Sequence, residues 1–180
     1  SIDQENDKFL SQRGYIRTLY YKDEETIQKG IKDYYKAMEI NPSNMYCYNN
    51  LSLFFWNKQL HNQAVELIQN ALKKQPRSFD LHNRLASFYA ELEKSELLEN
   101  EIDLMKKIIP NHPKINYLMG VSLLNNKKYK DLEIFLAKKN TINFYENDYL
   151  YLKGMSFYFQ EKFKEAIVIL EELTREGHME

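Results

Sequence analysis

A period of 34 residues constrains this chain more than any other feature. Lys29 to Pro42 reads KGIKDYYKAMEINP, and Gln63 to Pro76 reads QAVELIQNALKKQP. Gly30 and Ala64, Tyr34 and Ile68, Ala37 and Ala71, and Pro42 and Pro76 each stand 34 apart. The same interval links Thr18, Ser52, Ala86, Gly120 and Gly154, all small, and Tyr21, Phe55, Tyr89, Leu123 and Phe157, all large and apolar. It also links Gly30, Ala64, Leu98, Leu132 and Ala166, and Tyr34, Ile68, Ile102, Leu136 and Leu170. Five units tile the chain without insertion: 11–44, 45–78, 79–112, 113–146 and 147–180. They form a single repeat domain over 11–180, preceded by an N-terminal extension, 1–10.

Each unit reads as two helices. Tyr48, Leu51, Ser52 and Phe55 fall at i, i+3, i+4 and i+7, one face of a helix. Residues 57–62 turn the chain, and Ala64, Ile68 and Ala71 form the stripe of a second helix. Pro76 ends it, because proline lacks the amide a helix interior needs. Pro42 and Pro110 close two further units. Ser78 is placed to cap the next helix, as Ser43 or Asn44 is for the one before, and Pro113 suits a first helical position. The small-residue column has a packing reason, since helices approach closely only where side chains are short. One such pair cannot bury its own apolar face, so copies must stack.

This pattern resembles the tetratricopeptide repeat, whose 34-residue unit carries an aromatic, Leu-Gly and Tyr on its first helix and Ala, Phe, Ala and Pro on its second. The second unit matches it with Tyr48, Leu51, Ser52, Phe55, Ala64, Ile68, Ala71 and Pro76. The third matches with Leu85, Ala86, Tyr89, Ile102 and Pro110, and the fifth with Gly154, Phe157, Phe163, Ala166 and Leu170. The first and fourth depart from it: Arg17 stands where leucine is usual, and Lys139 and Phe144 where alanine and proline are. The resemblance implies an all-α fold, a right-handed α-solenoid of antiparallel helix pairs with a concave face lined by the first helix of each unit.

The residues carry no arrangement that points to catalysis, a cofactor or a metal. His61, His82, His112 and His178 lack the paired spacing of a zinc site, and one cysteine, Cys47, excludes an intramolecular disulfide. Nucleophile elbows and phosphate loops are absent from the sequence. The chain is therefore expected not to be an enzyme. A formal net charge of −1 gives no nucleic-acid footprint, and no apolar run reaches the ~20 residues of a membrane span. A cytoplasmic chain is expected, although a start at Ser1 also fits a processed or exported form.

The expected functional surface is the concave face. The resemblance places Tyr15, Asn49, Asn83, Tyr117 and Tyr151 in one of its columns, Asn50 and Arg84 in a second, Ser87 in a third and Trp56 in a fourth, with Tyr46 alongside. A polar centre (Asn49, Asn50, Asn83, Arg84, Ser87) flanked by Tyr46, Trp56, Tyr117 and Tyr151 suits an extended peptide, because amides pair with a backbone and aromatics anchor interfaces. The expectation is a non-catalytic interaction module or scaffold that binds a segment of another protein. The alternatives are a structural unit that self-associates through the groove or C-terminal end, giving a homo-oligomer, and an accessory domain of a larger protein. Ile167 and Ile169, with Val168 and Leu173, supply more apolar surface than the last helix needs, so they are the expected self-association residues. The family's carboxylate clamp is not expected: Tyr15 and Leu19 replace its Lys and Asn, and Asp80 replaces its second Lys.

Overall fold

The computed structural model describes residues 6–138 and 143–176, and the regular elements among them are ten helices. In order these are α1 (Asp7–Tyr20), α2 (Glu24–Ile40), α3 (Met45–Asn57), α4 (His61–Lys74), α5 (Phe79–Glu91), α6 (Ser95–Ile108), α7 (Pro113–Asn125), α8 (Tyr129–Leu136), α9 (Glu146–Phe159) and α10 (Phe163–Glu176). Lys139, His178 and the first five residues lie outside the described residues. The second helices α4, α6, α8 and α10 begin at 61, 95, 129 and 163, one period apart each time.

A backbone device recurs at the same interval. Gln59, Glu93, Lys127 and Glu161 all have positive φ, between 54° and 61°. Just after each of them, Leu60, Lys94, Lys128 and Lys162 donate N–H bonds of 2.9–3.0 Å to Phe55, Tyr89, Leu123 and Phe157 carbonyls. This is the Schellman ending, which satisfies carbonyls the helix leaves orphaned. Caps open several helices. Asp23 accepts the Thr26 N–H at 2.8 Å, Ser78 accepts that of Leu81 at 3.4 Å, and His112 Nδ1 accepts that of Lys114 at 3.2 Å. Pro113 is the first residue of α7. Asn44 occupies the N-cap of α3 without a side-chain cap bond; its amide donates instead to Asp7.

The first unit departs from the period. Asp23 caps α2 early, so α2 starts at Glu24 and α1 stops at Tyr20. Tyr21, expected on the first helix with buried Phe55 and Tyr89, lies in the linker and is 50% exposed.

The helices gather into two compact units, Ser1–Arg84 and Leu85–Glu180, with the boundary inside α5. In the first, α1 packs on α2 and α3, and α3 packs on α2 and α4. Tyr34, Ala37, Cys47, Leu51, Ala64 and Ile68 form its buried centre. Gly14 and Gly30 let α1 and α2 cross. A Cβ on Gly14 would stand 2.9 Å from the Gly30 oxygen, and one on Gly30 2.8 Å from Arg17 Cβ. Asp33 is buried on α2, and Arg13 and Arg17 of α1 both donate to it.

In the second unit, α7 packs on α6, α8 and α9, and α9 packs on α8 and α10. Leu124, Leu132, Leu136 and Leu152 form one buried cluster. Gly154 takes Leu170 of α10, whose Cγ would lie 2.8 Å from an added Cβ. Phe163, one of the residues matched to the repeat, is 53% exposed, its ring 6.0 Å from that of Tyr158.

Candidate functional site

The first helices of the second unit enclose a cleft of about 460 Å3. Ser87, Ala90 and Glu91 come from α5, Tyr117, Val121, Leu124 and Asn125 from α7, and Tyr151, Met155 and Phe159 from α9. These helices deliver one residue per turn to the same face, which is what a 3.6-residue helical period does with positions spaced by three and four. The left-handed residues Glu93 and Lys127 close one end with Tyr129. Tyr117 and Tyr151 lie with ring centroids 6.4 Å apart, and Tyr129 stacks on Phe159 at 5.9 Å and 7°.

Charges at the cleft are held in place. Lys114 Nζ donates to both oxygens of Asp148, at 2.9 and 3.2 Å, and sits 5.2 Å over the Tyr117 ring. The Tyr117 phenol is pushed up to about 12, by burial first and then by Tyr151, Asp148 and Glu91. It therefore remains a neutral hydroxyl near pH 7. Asn125 donates its amide to the Ala90 carbonyl at 2.7 Å, tying α7 to α5. The cleft offers apolar walls, aromatic faces and hydroxyls.

Three of the sequence-derived residues, Ser87, Tyr117 and Tyr151, meet in this cleft. The others belong to the first unit. Arg84 Nε and Nη2 reach Asn49 Oδ1 at 3.4 and 3.3 Å, so these two columns do face one another. Asn83 is half-buried one position earlier on α5. Asn50 turns its amide back onto its own helix, donating to the Tyr46 carbonyl at 2.8 Å, while Tyr46 is 42% exposed beside Tyr15, rings 6.0 Å apart. Trp56 lies against His61 at 4.3 Å, where α3 turns into α4. Sequence reading missed Glu91, Asn125 and Phe159. They are one further column at the 34-residue interval, the thirteenth position of each unit, and the interval itself was the signal that would have found them.

The other reactive groups have structural surroundings. Cys47 is buried and its thiol pushed up to about 12, chiefly by burial. His82 is buried with Nε2 3.0 Å from the Pro76 carbonyl oxygen. On α10, Ile167 and Val168 are 56% and 64% exposed, whereas Ile169 turns inward, its Cγ2 3.5 Å from where a Gly154 Cβ would be. Among the described residues, no helix is long and apolar enough to cross a membrane.

No family model matches this chain. Mouse (Mus musculus) interferon-induced protein with tetratricopeptide repeats 2 is 33% identical over 89 residues, which is 47% of this chain and 18% of that protein. The chain thus spans less than a fifth of the length of that curated relative. Among solved structures, a thermophilic TPR protein of Thermus thermophilus superimposes with a TM-score of 0.69 at 12% identity, over 94% of this chain and 90% of its own. Yeast Tom70 does so at 0.68 and 18%, over 96% of this chain and 36% of its own. YrrB, described as a TPR protein with an unusual peptide-binding site, does so at 0.57 and 16%, over 95% and 86%. The chain has the all-α fold of the tetratricopeptide-repeat proteins, a solenoid of helix pairs.

Proposed function

We propose that this chain is a non-catalytic interaction module that holds an extended segment of a partner protein in the cleft of its second unit. The observation that carries this reading is the convergence of Tyr117, Val121, Tyr151, Met155 and Phe159 around a cavity of about 460 Å3. Aromatic and Met side chains are those enriched where proteins bind one another, and the Ser87 and Tyr117 hydroxyls supply the few polar contacts that orient a bound backbone. The peptide-binding site of YrrB, on the same fold, supports it. The test is photocrosslinking with p-benzoylphenylalanine in place of Tyr151. One partner segment should be captured there and not by the same probe at exposed Lys74 of α4. Equal capture at both positions, or an undiminished signal when Met155→Glu is added, refutes the reading.

One observation favours a second reading. Ile167, Val168 and Phe163 of α10 are each more than half exposed, which fits a covering neighbour such as a second copy of this chain.

A further inference from the structure

Two arginines of α1 and one carboxylate of α2 form a charged cluster in the first unit. Asp33, buried on α2, is shared by two arginines of α1. Arg13 forks onto it, Nε donating to Oδ2 at 2.8 Å and Nη2 to Oδ1 at 2.6 Å, and Arg17 Nη1 donates to Oδ2 at 2.6 Å. One carboxylate cannot neutralise two guanidiniums, which stay charged at any physiological pH. A single positive charge is therefore left over. The side chains of Arg13 and Arg17 are 38% and 28% exposed, against 8% for Asp33. Both line a cavity of about 510 Å3 together with Lys29, whose own charge is answered by Glu25 at 2.6 Å. Among the described residues, no acidic side chain lines that cavity; Asp33 and Glu25 pair with its cations without being part of its lining.

The arginines are also held still. The Arg13 guanidinium has Asp33 on one side and the Phe9 ring 5.3 Å from its carbon. Each guanidinium carries five N–H donors, and the bonds to Asp33 use two of those on Arg13 and one on Arg17. A fork whose orientation is fixed in advance loses little freedom when a second anion arrives. Phe9, Ile16 and Tyr21, each about half exposed, form apolar walls around the same cavity. A bare inorganic anion has no use for such walls, whereas an acidic residue next to an apolar one in a protein segment fits both.

We propose that this cavity binds the carboxylate of an acidic residue on a partner protein segment, through Arg13 and Arg17, with an adjacent apolar side chain against Phe9, Ile16 and Tyr21. It lies on α1, α2 and their linker alone and does not depend on the cleft of the second unit.

Arg17→Leu is the discriminating variant. It removes the surplus charge, leaves the Arg13–Asp33 pair intact and restores the leucine usual at this place in the repeat, so the fold is expected to survive, as thermal unfolding would verify. A random nonapeptide phage library is selected on the wild-type chain and on Arg17→Leu. Wild type should enrich peptides with Asp or Glu beside an apolar residue, and a synthesised winner should bind about tenfold or more weakly to Arg17→Leu, weaken similarly when its acid is changed to the amide, and weaken with added salt. No acidic enrichment, enrichment that persists on Arg17→Leu, or competition by inorganic phosphate as effective as by peptide (an adventitious ion only) overturns the proposal.

Discussion

Gly120 on α7 presses directly on Leu152 of α9: a Cβ at Gly120 would stand 2.4 Å from Leu152 Cδ1 and 3.0 Å from Cδ2. Leu152 is fully buried and belongs to the cluster of Leu124, Leu132 and Leu136, so displacing its methyls disturbs that cluster. Overpacking of this kind costs about 1–3 kcal/mol. Alanine regains up to about 1 kcal/mol of helix propensity over glycine, so Gly120→Ala should be mildly destabilising and Gly120→Leu strongly so. Thermal unfolding should show a drop of several degrees for Gly120→Leu. An unchanged midpoint would mean the close approach is not there in solution.

Four left-handed residues without glycine are a built-in source of strain. A side chain in that region costs about 1–2 kcal/mol, partly offset because glycine loses more freedom on folding. Glu93→Gly, and likewise Gln59→Gly, Lys127→Gly and Glu161→Gly, should each stabilise the chain by about 0.5–1 kcal/mol, read as a higher urea midpoint with unchanged slope. Destabilisation at all four positions would refute the assignment of these turns.

Alkaline pH should unfold the chain earlier than its ordinary side chains alone predict. The Cys47 thiol moves from 9.0 up to about 12, and the Tyr117 phenol from 10.0 up to about 12. Both folded values lie above the unfolded ones, so the fold favours the protonated forms. That stability is complete below about pH 9 and is lost as pH rises from about 9 toward about 12. The melting temperature should fall across that window. Cys47→Ser should flatten the part nearest the thiol's ordinary value whatever it does to stability at neutral pH, and an identical slope in the variant would count against the thiol.

The surface of α10 separates two neighbouring isoleucines. Ile167 is 56% exposed and Ile169 faces Gly154. Ile167→Lys with Val168→Lys should leave stability within about 0.5 kcal/mol of the native chain and abolish concentration-dependent association in sedimentation. Ile169→Lys should instead destabilise the fold. A native chain that stays monomeric at high concentration removes the second reading of function.

Much of this was visible in the 34-residue columns. Ala64, Leu98, Leu132 and Ala166, which the interval puts in one column, are each 0–3% exposed, because equivalent positions in a repeat take equivalent places on their helices. The first unit was less legible. Arg17 read as a defect in the pattern, yet it bonds buried Asp33, a pairing between residues 16 apart that no periodicity announces. The early start of α2 turns on one side chain, Asp23, whose cap outweighs the register. At the cleft, the columns named Ser87, Tyr117 and Tyr151; on α3, the Asn50 amide donates to the Tyr46 carbonyl four residues back, a local bond that the column does not announce. The sequence shows which positions share a face and not which partner each polar group chooses.

The repeated turn has a consequence for how such a chain can change. At Gln59, Glu93, Lys127 and Glu161 the punctuation between helices is a φ angle and a backbone N–H bond, and no particular side chain makes it. Amides and carbonyls are common to almost every amino acid, so the joint tolerates substitution that would erase a motif built from side chains. Letters at these joints are free to drift toward other work, such as Glu93 and Lys127 bordering the cleft, while the helix pairs keep their stride.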